Sequence, residues 1–302
     1  MPSFRKPEKQ AERVVRRNLA LGTPRHTNPD DGKIHSVRTS RNYRQALVQV
    51  ARWMQANGHM QGLHRMDEDL AYAYLEERAE VVRQKTLDLD RQAIQTLPDI
   101  GKLTPVRSAL APTKLTTSGR AYTPLQVKMI ASAQIDTNTL ATLIAHAAGL
   151  RAHELFTLRP AAEQPASTHR VWSDYRFFGR SDQKRYSVVG KGGLVREVMI
   201  PHRLVVYLEA RRLDTPQPVI DRDVRYLKGY DMGGGHTWAK SFSSASQRVL
   251  NWSTGAHGLR HSYAQERIDE LQMHGVWYDD ALEIVSQEMG HFRATITKVY
   301  LR

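Results

Sequence analysis

Met289-Gly290-His291, with Tyr300 nine residues after the histidine, carries more information than any other stretch of this chain. Three groups precede it in order. They are Gly149-Leu150-Arg151-Ala152-His153-Glu154-Leu155, a Gly190-Lys191-Gly192-Gly193 turn between two strand-like runs, and His257-Gly258-Leu259-Arg260-His261. Singly, each has an ordinary explanation: Arg151 as a surface charge at a helix start, Lys191 as a solvated turn residue. Jointly they supply a phenol, two guanidiniums, two imidazoles and an ammonium in a fixed order.

That set matches the demands of breaking a DNA phosphodiester by transesterification without a metal. A tyrosine with a reference pKa of about 10 is ionised in only about one molecule in a thousand at neutral pH. Unassisted, that opposes attack by roughly 4 kcal/mol. Nearby cations and a hydrogen-bonded base offset it. The pentacovalent phosphate gathers negative charge, which forked guanidiniums match in geometry and in permanent charge. The departing deoxyribose oxygen needs a proton. Accordingly Tyr300 is the candidate nucleophile, Arg151 and Arg260 the phosphate clamp, and His291 a third donor. His257 would accept the tyrosine proton or hold the same oxygens, and Lys191 would protonate the leaving group. Glu154, one helical turn from Arg151, is placed to orient one of these side chains.

Competing readings of the same residues are weaker. The Gly190–Gly193 turn lacks Walker spacing and a hydroxyl after the lysine, so it does not read as a nucleotide loop. His257 and His261 stand four apart on a helix but have no third ligand, so no metal site is expected. Gly233-Gly234-Gly235-His236 reads as a flexible loop. Tyr263 and Tyr278 are rival nucleophiles without a histidine at the helpful offset.

Composition points the same way. A formal net charge of +13 over 302 residues and a pI near 10.0 favour a polyanionic partner, most simply nucleic acid. A basic membrane-surface protein would show a basic amphipathic helix or a lipidation signal, and neither is convincing here. The absence of cysteine excludes disulfides, thiolate zinc sites and a cysteine nucleophile, and is compatible with a reducing cytoplasm. Residues 1–6 show no apolar region of a secretory signal. The most apolar stretch, Leu140 to Leu150, is too short to span a bilayer. A soluble, cytoplasmic protein is expected.

Along the chain, residues 1–35 form a basic segment that reads either as a solvated terminus or as an arm lying on phosphates. Residues 36–97 read as a helical module. One helix begins near Thr39 or Ser40 and ends at Gly58, a second runs from about Asp67 towards Val82, and a third spans Thr86 to Leu97. Arg41, Arg44 and Arg52 lie off the apolar stripe of the first and are candidate DNA contacts. Residues 98–122 have linker composition, with Lys102 and Lys114 as further candidates. A second domain, 123–302, opens at Thr123-Pro124. It holds two helices, then strands at Val171 to Phe178, Tyr186 to Val189 and Leu194 to Ile200, the last two joined as a hairpin. Beyond Pro201 it is expected to be mainly helical.

On these four motifs, residues 123–302 resemble the tyrosine recombinase, or phage-type integrase, family; residues 39–97 resemble its helical core-binding domain in pattern. The resemblance implies a mainly α fold with a small antiparallel β-sheet. It also implies a C-shaped clamp of two domains around duplex DNA: a helical core-binding domain and an α+β catalytic domain. The implied activity is site-specific recombination or integration for a mobile element. It proceeds through a covalent 3′-phosphotyrosine and a Holliday junction, in a homotetramer, with accessory DNA-bending or directionality proteins as further partners. Neither metal nor ATP is implied. Met289 stands where leucine is usual, and the stretch between Arg260 and His291 is several residues longer than the family pattern. Two other readings share the residues: a monomeric topoisomerase of the same chemistry, and a DNA-binding regulator that keeps the fold but does not cut.

Overall fold

The computed structural model describes residues 5–23, 31–111 and 118–301. The chain divides into two compact units, Met1–Thr116 and Thr117–Arg302.

The first unit is helical: α1 (Pro7–Arg17), α2 (Val37–Ala56), α3 (Glu68–Ala79) and α4 (Gln84–Ile94). Side-chain caps set two of the starts, because the first N–H groups of a helix lack internal partners. Ser36 Oγ accepts the Thr39 N–H at 3.1 Å, and Asp67 Oδ1 accepts that of Leu70 at 2.9 Å. The apolar stripe of α2 (Leu47, Val50, Ala51 and Met54) is buried against Tyr74 and Leu75 of α3 and Leu87 and Ile94 of α4. Helix α1 lies within the segment expected as a basic arm, yet it buries Ala11 and Val15 in this core. It is also tied to α2 by an Arg52–Glu8 ion pair at 2.8 Å.

The second unit begins with α5 (Pro124–Ser132) and α6 (Asp136–Ala147). Thr123 and Gln126 cap α5 reciprocally: the Thr123 hydroxyl accepts the Gln126 N–H, and the Gln126 side chain accepts the Thr123 N–H. A 3-10 turn, Ala152–Leu155, follows. The strands β1 (Arg159–Pro160), β2 (Gln183–Val189) and β3 (Val195–Pro201) form an antiparallel sheet in that order, with Tyr186 opposite Val198. After α7 (His202–Glu209) comes an antiparallel pair, β4 (Arg212–Asp221) and β5 (Val224–Tyr230). Helices α8 (Gly235–Leu250), α9 (Gly258–Met273), α10 (Tyr278–Glu288) and α11 (Ala294–Thr297) complete the unit, with a 3-10 turn Lys298–Leu301 that carries Tyr300. The fold is mainly α with small antiparallel sheets. No described helix is long and apolar enough to cross a membrane.

Several expectations are corrected. Val171 to Phe178 is a series of turns, with Val171 90% exposed. Its amides are claimed by side chains instead of a neighbouring strand: Ser173 N–H donates to Gln287 Oε1 at 2.7 Å and Phe177 N–H to Glu288 Oε1 at 2.8 Å. The region after Pro201 is mainly helical, as expected, but an unexpected β4–β5 hairpin interrupts it. Its tip, Arg222-Asp223, takes positive φ without glycine or asparagine, and Pro216 and Pro218 lie within β4. Both features mask a hairpin in a sequence scan. Gly235 and His236, expected in a flexible loop, instead open α8, where Asp221 Oδ1 accepts the His236 N–H at 2.8 Å, and α2 starts at Val37 behind its Ser36 cap instead of near Thr39 or Ser40.

Leu47 is fully buried, so Leu47→Ala should lower unfolding free energy by about 2–5 kcal/mol. Urea denaturation checks this, and a midpoint indistinguishable from wild type would contradict the packing described.

Candidate active site

The buried carboxylate of Glu154 organises the centre of the second unit. It is fully buried, and both of its oxygens are engaged. Oε2 accepts the Arg151 backbone N–H at 2.8 Å and Arg196 NH2 at 2.7 Å, while Oε1 accepts Arg151 NH1 at 2.7 Å. Arg260 NH1 lies 3.9 Å from Oε2. Three guanidiniums thus share one carboxylate, leaving positive charge in excess. Burial works against ionisation of Glu154, but Arg196, Arg151 and Arg260 prevail and hold its carboxyl well below the usual range.

Arg260 sits on the first turn of α9 and is fully buried. Burial, then the charge of Arg151, push it down to about 9, so it remains a cation at neutral pH. Its NH1 donates to the carbonyl of Gly149, and NH2 to that of Met289 at 3.1 Å. Gly149 has φ +59°, and a Cβ there would lie 2.7 Å from the Tyr263 ring. Only glycine fits this position while aiming its carbonyl at Arg260.

His291 joins the two arginines. Arg151 NH2 donates to its Nε2 at 3.1 Å and Arg260 NH2 at 3.2 Å, while the Tyr300 hydroxyl lies 3.4 Å from the same nitrogen. A nitrogen facing two guanidiniums must accept, which puts the ring proton on Nδ1. Burial, then Arg260 and Arg151, depress the imidazole to about 3. The turn that carries it is closely held. Gly290 (φ +74°) backs onto Arg196, whose Cδ would be 3.0 Å from an added Cβ. Phe292, at φ +56°, packs its ring 4.8 Å from Trp172.

Tyr300 is 8% exposed, and its ring stacks on His291 at 5.2 Å between centroids. The His261 ring lies 4.8 Å away and the His257 ring 5.6 Å. The Tyr300 carbonyl accepts Gln265 Nε2 at 3.0 Å. His257 is exposed at the N-terminal end of α9. Lys191 is exposed on the β2–β3 turn, and its ammonium is hydrogen-bonded to none of the other five residues. Its neighbour Gly190 lies against the pair, with an added Cβ 3.2 Å from Glu154 Oε1 and 3.8 Å from Arg151 NH1. Arg151, Arg260, His291 and Tyr300 therefore converge, with His257 beside the phenol and Lys191 on the adjoining turn.

The other expected residues are more dispersed. Arg41, Arg44 and Lys102 are exposed in the first unit, Arg52 is paired with Glu8, and Lys114 lies outside the described residues. The rival Tyr263 is buried and donates to Glu288 Oε2 at 2.7 Å; burial, then the charge of Glu288, raise its pKa. Sequence reasoning missed Arg196. The available signal was a cation in the inward register of β3 with Val198 and Ile200. No cluster of three or more metal-ligating side chains occurs among the described residues.

Solved structures share this architecture. The XerH site-specific recombinase bound to a palindromic difH substrate, in a post-cleavage complex, superposes over 100% of this chain and 94% of its own. The TM-score is 0.54, at 14% sequence identity. The fold is that of the tyrosine recombinases. The pre-cleavage complex of XerH with difH gives a TM-score of 0.52 at 15% identity over the same shares of the two chains. No protein-family model matches the chain, and no curated protein sequence matches it. At this identity the likeness is one of tyrosine recombinase fold.

Two outcomes follow from the charges. Glu154→Gln leaves buried guanidiniums short of their counter-ion and should destabilise the protein by about 3–5 kcal/mol near neutral pH. The folded-state carboxyl titrates below its ordinary 4.5. Its stabilisation is therefore complete above about pH 4.5 and lost as pH falls through the depressed value, so the gap between wild type and variant should close in acid. Denaturation at several pH values tests this, and a pH-independent gap would refute it. Likewise His291 should titrate near 3 instead of 6.5 by NMR. Its share of stability is complete above pH 6.5 and is lost as pH falls towards 3.

Proposed function

We propose that the protein is a site-specific DNA recombinase that cleaves and rejoins duplex DNA through a covalent 3′-phosphotyrosine at Tyr300. One observation carries this reading: the Tyr300 hydroxyl and the NH2 groups of Arg151 and Arg260 meet at a single atom, His291 Nε2. The excess positive charge around that point suits an anion. A scissile phosphate placed there would accept from both guanidiniums within reach of the phenol.

In the proposed step, the Tyr300 oxygen bonds to phosphorus as the bond from phosphorus to the 5′ oxygen breaks. His257, the exposed imidazole beside the ring, takes the phenol proton. Lys191 gives a proton to the departing 5′ oxygen; an exposed ammonium on a glycine-rich turn can reach into a groove. Arg151 and Arg260 hold the non-bridging oxygens as charge builds on them, and His291 joins them as a donor once the phosphate has displaced its Nε2 from the guanidiniums and the ring proton has moved to that nitrogen. Rejoining reverses the step. The phosphotyrosine conserves the bond energy, so neither a metal nor ATP enters the scheme. DNA-bound XerH, which shares the fold, supports duplex DNA as the substrate. Strand exchange through a Holliday junction would then require four copies on DNA. In this reading the basic surface of the first unit, including Arg41 and Arg44, lies on the duplex. Residues 36–97 act as the core-binding domain, and residues 123–302 as the catalytic domain.

The test is covalent trapping in EDTA with DNA flanking the protein's own coding region. A protease-sensitive protein–DNA adduct should form and vanish in Tyr300→Phe; an adduct unchanged in that variant would reject the nucleophile. Arg151→Ala or Arg260→Ala should abolish cleavage while DNA binding largely persists. An equally large loss of affinity would make these arginines binding groups instead. Lys191→Ala should slow release of the 5′ hydroxyl, and a 5′-bridging phosphorothiolate should restore much of the rate. Absence of rescue would remove Lys191 as the acid.

A further inference from the structure

Arg196 lies in the interior of β3 and is completely buried. Its guanidinium spans two elements of the site. NH2 donates to Glu154 Oε2 at 2.7 Å, and NH1 donates to the carbonyl of Glu288 at 2.7 Å. Glu288 is the last residue of α10, three before His291. The aliphatic stem of Arg196 fills the space beneath Gly290. Its Nε has no hydrogen-bond partner among the described residues.

This is a costly way to fill a strand interior. A buried ion pair is commonly no more stable than apolar residues of the same volume, and an unpartnered buried N–H adds to the cost. Neighbouring inward positions on β3 are the apolar Val198 and Ile200. What the guanidinium does, and an apolar side chain cannot, is hold two acceptors at a fixed separation. One is the carboxylate that grips both the backbone and side chain of Arg151. The other is the main chain leading into the His291 turn.

The residue that supplies the second acceptor is anchored through its side chain. The Glu288 carboxylate receives Arg267 Nε at 3.2 and 3.1 Å, the Tyr263 hydroxyl and the Phe177 N–H. Arg196 is therefore a span between two anchored ends, beside Arg260, which ties the carbonyls of Gly149 and Met289. Neither the chain order nor the β-sheet links the Arg151 turn to the His291 turn as directly.

We propose that Arg196 is a positioning residue for strand cleavage, setting the separation of the Arg151 guanidinium and the His291 imidazole without touching DNA. This rests on the recombinase reading above. Moving a reacting group by about 1 Å can cost on the order of 10²-fold in rate, so the effect should appear in the chemical step.

The experiment compares wild type, Arg196→Met, Arg196→Lys and a control, Leu208→Ala, which empties a fully buried site in the same unit. The probe is the duplex that wild-type protein traps most abundantly from a random-sequence library in EDTA. Single-turnover cleavage at saturating DNA and the DNA Kd are measured well below each variant's melting temperature. Arg196→Met should cleave on the order of 10²-fold more slowly, with Kd within about threefold of wild type. A 5′-bridging phosphorothiolate should not rescue it, because the leaving group is not what has been lost. Arg196→Lys, whose ammonium lacks the two-ended fork, should fall between. Leu208→Ala should cleave at nearly the wild-type rate despite its lower melting temperature.

Wild-type cleavage by both Arg196 variants, or a loss matched by Leu208→Ala, would overturn the positioning role and leave the recombinase reading standing. No adduct from wild type itself would overturn both. Should Arg196→Met fail to fold, Arg196→Lys decides the question by the same criteria.

Discussion

The second unit depends on one carboxylate beneath three guanidiniums. Gathering Arg151, Arg196 and Arg260 within reach of each other is unfavourable in a low-dielectric interior, and Glu154 alone makes it tenable. The Glu154 oxygens fix Arg151 through its backbone as well as its side chain. They also bring β3 against the Ala152–Leu155 turn through Arg196. Where the sheet, α9 and the His291 turn meet follows largely from satisfying that charge.

A second buried carboxylate extends the arrangement outward. Glu288 collects Tyr263 and Arg267 from α9 and the Phe177 amide from the segment between β1 and β2. Arg180, in the same segment, is held by Glu270 of α9. These ties explain why residues 171–178, apolar enough to read as a strand, form turns. Their hydrogen-bonding groups already have partners on α9 and α10. The Trp172–Phe292 contact then connects that segment to the residue after His291.

Much of this was legible in the sequence. The Thr123 cap marks α5 because the capping interaction is local, whereas Thr39 or Ser40 stands in for the true α2 cap, Ser36, in a run of several capping residues; the hairpin carrying Lys191 is visible from glycines between alternating apolar runs. Three of the four motifs named residues that the fold brings together, Arg151, His257, Arg260, His291 and Tyr300, while Lys191 stays exposed on the adjoining turn. Other features depended on tertiary partners. The only local sign of Arg196 is its inward register with Val198 and Ile200, and its acceptors, Glu154 and the Glu288 carbonyl, are brought to it by the tertiary fold. The β4–β5 hairpin was hidden by two prolines and a turn of Arg222 and Asp223. Helix α1 reads in sequence only as a solvated terminus or a basic arm, because its charged face outnumbers Ala11 and Val15, the two apolar residues it buries.

The fixed placement of the terminal nitrogens of the arginine cluster has a further consequence. Solvent dipoles around an exposed cation must reorient as charge moves, and that reorientation is a large part of a barrier in water. Here the guanidiniums are held by Glu154 and by the carbonyls of Gly149, Glu288 and Met289. The electrostatic work of assembling them is done once, as the chain folds. Under the proposed recombinase function, what remains for an incoming phosphate is to replace a single neutral acceptor, His291 Nε2, within a field whose direction is already set.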